Sequence, residues 1–307
     1  MASGPYRLIT RSDFDGLVCA VLLIDQGLVN DIKFVHPKDM QDGLIPVGDT
    51  DITANLPFQP GVHLAFDHHS SETVRNAKHD NYILNPTAPS AARVVYEYYG
   101  GKKGFPNISE EMLLAVDKAD SAQFKLEEVL NPEKWALLNF IMDARTGLGR
   151  FKNFRISNYQ LMMDLIVYCK DHSIDQILKL PDVKERVDLY TSHQNLYREQ
   201  VGKCARTEGN VLVMDLTGED LIYAGNRFVK YALFPTTNIS VTRLWGYQKQ
   251  NTVFTVGKSI FNRTSNKDIG ALMLSYGGGG HVAAGTCQVD TEAADRILQE
   301  IITALRD

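Results

Sequence analysis

The chain has 307 residues, 44% of them hydrophobic and 22% charged, with a formal net charge of −5. That is the make-up of a globular protein long enough for two domains, and its acidic balance argues against an extended nucleic-acid-coating surface while leaving room for a local basic cleft. No basic-then-apolar leader opens it and no run reaches the about eighteen apolar residues of a membrane span, so a cytoplasmic protein without membrane contact is expected. In chain order, Tyr6 to Thr10 reads as a strand and Leu17 to Gln26 as an apolar helix. Ile32 to His36 is a second strand, ended by Pro37, Leu44 to Val47 a third, and Val62 to Phe66 a fourth. Ser90 caps a helix that runs to Tyr99 and stops at Gly100-Gly101, and Ser109 opens another through Lys118.

This alternation predicts an α/β fold: a largely parallel sheet flanked by helices over residues 1–157. From 158 to 200 only helical spacing remains, in Leu161 to Tyr168, Ile174 to Leu180 and Val183 to Lys203, which predicts a helical connector. Short β-rich runs return at Val211 to Leu216, Leu221 to Tyr223, Asn238 to Trp245 and Thr252 to Val256. With helices at Ala271 to Tyr276 and Ala293 to Leu305, they predict a smaller α/β domain over 201–307. The four cysteines, Cys19, Cys169, Cys204 and Cys287, form no CxxC pair. They read as free thiols without a catalytic role, not as a disulfide frame or zinc site.

The chemistry lies at the ends of the predicted strands. Asp13 and Asp15, two apart, point to one side at the carboxyl end of the first strand, where open α/β sheets bind ligands, and Gly16 allows the turn into the helix. Asp67-His68-His69 follows the fourth strand directly. Hard carboxylate oxygens suit Mg²⁺ or Mn²⁺, and the imidazole of His68 shifts the preference toward Mn²⁺. Asp67 or a main-chain carbonyl would fix the tautomer of His68, and His69 would contact or protonate a phosphoryl oxygen. Asp49 or Asp51, beyond the third predicted strand, could bridge two cations, and Asp117 or Asp120 could add a further ligand. Near the end of the chain, Gly277 to Gly280 followed by His281 would present main-chain N–H groups and an imidazole to phosphate. Upstream, Lys258, Asn262 and Arg263 offer a point charge, an amide and a guanidinium fork. Residues 201–263 carry eight Lys and Arg against four Asp and Glu, a local bias that fits an anionic substrate.

Asp13-Phe14-Asp15-Gly16, Asp67-His68-His69 and the Gly278-Gly279-Gly280-His281 run, in this order, resemble the DHH phosphoesterase family with its DHH-associated C-terminal domain, in its oligoribonuclease-like and exopolyphosphatase-related group. The resemblance implies a metal-dependent hydrolase with two ions, Mn²⁺ or Mg²⁺. The metal ligands would be Asp13, Asp15, Asp51, His68 and Asp120, with Asp67 and His69 at the chemistry. Substrate would be gripped by Gly278, Gly279, Gly280, His281, Arg263, Lys258 and Asn262. Asp51 is selected because Asp51-Ile52-Thr53-Ala54-Asn55 is similar to the family's Asp-Thr-Ala-Asn stretch, and Asp120 because Asp120-Ser121-Ala122-Gln123-Phe124 is similar to its Asp-Thr-Gly-Ser-Phe. The first domain would hold the metals and the second the substrate. Implied substrates are short nucleotidic phosphodiesters, linear or cyclic dinucleotides, or adenosine bisphosphate; polyphosphate hydrolysis and a non-enzymatic nucleotide-binding regulator are the alternatives. A homodimer is left open. One position departs from the family: where many members carry a metal-binding histidine, four residues before Asp13, this chain has Ile9, which cannot ligate.

Overall fold

The N-terminal half is built around a strand buried on both faces. β1 (Tyr6–Arg11) carries Leu8, Ile9 and Thr10 fully buried in succession. That continuous run marks a parallel strand covered by helices on both sides. In the computed structural model, which describes residues 5–69, 72–75 and 79–306, β1 pairs in parallel with β2 (Val29–Val35) on one side and β3 (Asp51–Ala54) on the other. β4 (Leu64–Asp67) and β5 (Tyr82–Leu84) extend the sheet in the order β2-β1-β3-β4-β5, every pair parallel. The chain leaves β1 toward one edge, to form β2, and comes back to the other side for β3. The carboxyl ends of β1 and β3 are therefore a topological switch point, the place where such sheets open a ligand crevice.

The helices are α1 (Phe14–Asp25), α2 (Pro37–Gln41), α3 (Glu72–Arg75), α4 (Ala91–Tyr98), α5 (Glu110–Asp120), α6 (Leu126–Leu130), α7 (Lys134–Met142), α8 (Asn158–Asp171), α9 (Ile174–Ile177) and α10 (Pro181–Cys204), then α11 (Val229–Leu233), α12 (Ile269–Leu274) and α13 (Ala294–Leu305). α1 is the central helix: Phe14 through Leu23 are all buried, so it is apolar on every side, as a helix enclosed by other elements must be. Its neighbours α4, α5 and α8 supply much of that cover. Ser90 and Ser109 cap α4 and α5 as the sequence predicts, each accepting from the main-chain N–H three residues on.

By internal contacts the chain divides into two units. The first takes residues 1–124, 132–144 and 148–188; the second takes 125–131, 145–147 and 189–307, and the division falls inside α10. The second unit contains a mixed sheet in the order β10-β11-β9-β8-β7-β6, formed by β6 (Ala205–Glu208), β7 (Val211–Asp215), β8 (Ile239–Trp245), β9 (Thr252–Lys258), β10 (Gly279–His281) and β11 (Ala284–Val289). Only β7 and β8 run parallel. One apolar core joins this sheet to α12 and to α13, whose Ile297, Leu298, Ile301, Ile302 and Leu305 face inward at three- and four-residue steps.

Two expected strands are not strands. Leu44 to Val47 is irregular: Leu44 is 67% exposed, and Pro46 has no N–H for a ladder. Ile45 and Val47 still pack on Ile9, Val35, Met40 and Leu56, so the apolar run was real and its conformation was not. Leu221 to Tyr223 is likewise irregular. The first displacement matters, because the true β3 begins only at Asp51. Among the described residues no helix is long and apolar enough to cross a membrane.

Candidate metal centre

At the carboxyl edge of the first sheet Asp13, Asn55 and His68 follow β1, β3 and β4, and helices α1 and α5 add Asp15 and Asp120. Asp13 caps α1: its Oδ1 accepts from Gly16 N at 3.0 Å, and its Oδ2 lies 2.9 Å from Arg11 Nε. Gly16 is there for closeness. A Cβ at this position would fall 2.0 Å from the Arg11 carbonyl oxygen, so any larger residue would push α1 off the end of β1. Asp15 is 2% exposed and sits against the start of α4, where Ala91 N and Ala92 N donate to its two oxygens at 2.9 and 2.7 Å. A helix N-terminus is a favourable seat for a carboxylate. The carboxylate is nevertheless held above its ordinary pKa, by burial first and then by the charge of Asp120.

His68 completes the cluster. Its Nδ1 lies 3.2 Å from the Ala88 carbonyl oxygen, which can only accept, so Nδ1 carries the proton of the neutral ring. Nε2 is then a bare lone pair. It lies 3.1 Å from Asp120 Oδ2 and 3.8 Å from Asp15 Oδ2, and it is buried without a hydrogen-bond partner. One ligand atom from each of Asp15, His68 and Asp120 falls within 4.8 Å of the others. Two carboxylates and one oriented imidazole, converging with an orphaned nitrogen between them, fit a divalent cation. Without a cation the carboxylates hold a proton on the ring instead. Burial alone would lower the pKa of His68, but Asp120 and Asp15 outweigh it and lift it to about 9. Ligation needs the neutral ring, so a proton must leave before the cation enters. Mn²⁺ affinity is therefore expected to rise about tenfold per pH unit for one displaced proton, levelling off above about pH 9. Isothermal titration in buffers of differing ionisation enthalpy measures both the affinity and the protons released; an affinity independent of pH would contradict the assignment.

The neighbouring Asp67 holds His69, and the Ala88 carbonyl takes the role toward His68 that Asp67 was one candidate for. Asp67 is 1% exposed and accepts from His68 N at 2.8 Å and from Tyr82 OH at 3.2 Å, while His69 Nδ1 lies 2.7 Å from its Oδ1. Burial would lower the pKa of His69, and the Asp67 carboxylate more than offsets this, so the ring is raised toward its protonated form. Tyr82 is a site residue that the sequence reading missed, because the three-residue β5 carrying it was too short to register.

The expected bridging ligand is elsewhere. In the parallel register Asp51 stands opposite Arg7, at the amino end of β1, whereas Asp13 and Asp15 follow its carboxyl end. Asp51 is 2% exposed and receives Arg7 in a two-point contact, Nε to Oδ1 at 2.7 Å and Nη2 to Oδ2 at 3.0 Å, with Gly48 N donating at 2.8 Å. Asp51 is thus corrected from a metal ligand to a structural ion pair at the opposite edge of the sheet. Asp49 lies on an exposed turn. The residue that does follow β3 into the crevice is Asn55, whose Nδ2 donates to Asp13 Oδ1 at 3.0 Å. Of the other pair of alternatives, Asp120 reaches His68, whereas Asp117 is held by Arg93 and accepts from Ser90 Oγ at 2.7 Å.

The expected substrate-binding residues fall at one end of the second sheet. Lys258 ends β9, and its N–H bonds the Ala283 carbonyl oxygen at the tip of the β10–β11 hairpin, next to His281. Asn262 and Arg263 lie in the loop that leaves β9 there, where Asn262 Nδ2 donates to Thr236 O and Arg263 Nε to Ile260 O. The glycine run is an edge strand, not an open loop. Gly277 N and Gly278 N close the end of α12, on Leu274 O and Met273 O, so their N–H groups are spent, and Gly279 and Gly280 are the exposed glycines of β10. A Cβ at Gly278 would fall 2.1 Å from Thr286 O and one at Gly280 2.3 Å from Ala284 O, so close strand contact also demands these glycines. The thiols of Cys19, Cys169 and Cys287 are buried, and burial pushes each above its ordinary pKa, to about 12 for Cys169 and about 11 for Cys287. None is primed as a thiolate nucleophile.

No family model matches the chain, and no curated protein matches it. Among solved structures, the chain is 59% identical to the pGpG-specific phosphodiesterase PggH of Vibrio cholerae over 98% of each chain, with a TM-score of 0.85. It is 10% identical to CDC45 of Entamoeba histolytica, over 98% of this chain and 95% of that one, with a TM-score of 0.53; this likeness is one of fold. A parallel sheet with carboxylates and imidazoles gathered at its switch point, together with the closer of these relatives, defines a phosphoesterase, a hydrolase. The chain belongs to the DHH phosphoesterase family.

Proposed function

We propose that this chain is a phosphodiesterase that hydrolyses linear dinucleotides of the pGpG kind into mononucleotides, with Mn²⁺ as its preferred ion. The identity of 59% over 98% of both chains with a pGpG-specific enzyme carries the substrate. The Asp15, His68 and Asp120 cluster supports the chemistry, and its mixed oxygen and imidazole donors favour Mn²⁺ over Mg²⁺.

A bound cation supplies Lewis acidity at the phosphoryl oxygen and a more acidic attacking water. The protein's own groups do the rest. Asp67 holds His69 in one orientation and favours its charged form, so that His69 can neutralise a phosphoryl oxygen or hand a proton to the leaving ribose oxygen. Arg11 lies beside the crevice, its charge balanced by Asp13. Residues 1–157 hold the cation in this reading, 158–200 connect, and 201–307 grip the substrate's phosphate and base through Gly279, Gly280, His281, Lys258, Asn262 and Arg263. Polyphosphate is the weaker reading, since a long polyanion needs an extended basic channel and the chain is acidic overall.

The test is a panel on chelator-stripped, Mn²⁺-reloaded protein with pGpG, other linear dinucleotides, a cyclic dinucleotide, adenosine bisphosphate, polyphosphate and pyrophosphate. Mononucleotide release from pGpG is expected with kcat/KM at least about tenfold above every other compound, a difference of about 1.4 kcal/mol in transition-state binding. Faster turnover of polyphosphate or of the bisphosphate would reject the substrate and keep the hydrolase.

A further inference from the structure

Two buried polar atoms of the crevice residues have no hydrogen-bond partner, His68 Nε2 and Asn55 Oδ1. A cation accounts for the first. Asn55 follows β3 at the switch point, is 1% exposed and has a φ of 56°, a left-handed conformation that asparagine accepts more readily than most residues. Its main-chain N–H donates to Phe66 O at 3.0 Å, tying the end of β3 to β4, and Nδ2 donates to Asp13 Oδ1. The Asp13 carboxylate can only accept, so the amide nitrogen has to face it and the oxygen has to face away. A buried acceptor without a donor is costly and marks a place that a ligand or water completes.

Both oxygens of Asp13 are already engaged. Oδ1 takes the N–H groups of Gly16 and Asn55, and Oδ2 takes Arg11, so its charge is already balanced. The other residues that could serve a second ion are out of reach. Ile9 is fully buried in a small apolar cluster with Val35, Met40 and Leu56, and Asp51 is held by Arg7 at the far edge of the sheet. What remains is a pair of carboxylates, Asp15 and Asp120, with one neutral imidazole: enough negative charge for one dication and no more.

We infer that this centre is built for a single divalent cation, on Asp15, His68 and Asp120. The Arg11–Asp13 pair, locked by Asn55, is neutral: Arg11 balances beside it the carboxylate that a second ion would otherwise engage. The neutral Asn55 Oδ1 accepts a hydrogen bond from water in the crevice, where a carboxylate would recruit another metal. This inference rests on the cation site proposed above and adds its stoichiometry.

Metal content separates the two. Chelator-stripped protein dialysed against Mn²⁺ is expected to retain about one ion per chain, read by elemental analysis, and to show the electron paramagnetic resonance of an isolated Mn²⁺. The folded variants Asn55→Asp and Arg11→Gln/Asn55→Asp are expected to take up a second ion and show an exchange-coupled pair. Two coupled ions in the unaltered protein would overturn the single-cation inference and keep the cation site. So would a double variant, folded by circular dichroism, that still holds one ion. A stoichiometry near zero, or one unchanged in His68→Ala, would overturn the cation site itself.

Discussion

His68→Ala is expected to abolish tight Mn²⁺ binding and to lower kcat/KM on a linear dinucleotide by at least about 10³, on the order of 4 kcal/mol of transition-state stabilisation. The size follows from the ligand set. With three side chains converging, loss of the only imidazole leaves two carboxylates that repel one another and no soft donor. The fold should survive, because the ring's polar contacts are one main-chain carbonyl, Ala88 O at Nδ1, and the carboxylates of the crevice at Nε2. Asp15→Asn differs in a way that serves as a control. Both Asp15 oxygens receive main-chain N–H groups from α4, so an amide there would set an NH₂ against one of those donors and weaken the fold as well as the site. Equilibrium dialysis, steady-state kinetics and a melting curve on the two variants distinguish them. His68→Ala protein that still binds Mn²⁺ and turns over normally would remove His68 from the centre.

Asp51→Ala is expected to do the reverse. Truncation removes the buried partner of Arg7 and the acceptor for Gly48 N, at a cost of about 2–4 kcal/mol of stability. The lower part of that range is favoured because the Arg7 side chain is 35% exposed and regains some water. Below the melting transition, kcat and Mn²⁺ stoichiometry should stay at their unaltered values. Chemical denaturation measures the first, and turnover per folded molecule measures the second. A folded Asp51→Ala variant that had lost its metal would return Asp51 to the ligand set and contradict the register that separates it from Asp13.

The two residues show why one part of the site was legible and another was not. Asp13, Asp15, His68 and His69 follow strands whose apolar runs are unambiguous, and the residue types name their chemistry. Asp49 and Asp51 became candidates through a strand that does not exist, and the similarity of residues 51–55 to the family's Asp-Thr-Ala-Asn stretch chose Asp51 between them. Taking Leu44 to Val47 as the third strand put the next acids at a carboxyl end; with β3 at Asp51–Ala54 the same acid opens the strand, and Asn55 closes it. An error of one short strand thus moves a side chain across the whole sheet, since parallel neighbours present opposite chemistry at their two ends. Asp117 and Asp120 pose a smaller version of the problem. Three apart on α5, they lie on adjoining faces, and only packing against α4 decides that the first meets Arg93 and Ser90 while the second meets His68.

By itself the sequence determined what is local. Apolar runs and serine caps set a parallel α/β first half and its helices, and the combined motifs marked the family. Those features depend on neighbours within a few residues, so spacing carries them. Only the tertiary structure decided which oxygens converge. It turned Asp67 toward His69, gave the Ala88 carbonyl the orientation of His68, sent Asp51 to Arg7, and set the amide nitrogen of Asn55 on Asp13, leaving its oxygen unpaired. Each of the last three pairings joins residues twenty or more positions apart, and no local pattern encodes a distance that exists only once parallel strands are in register.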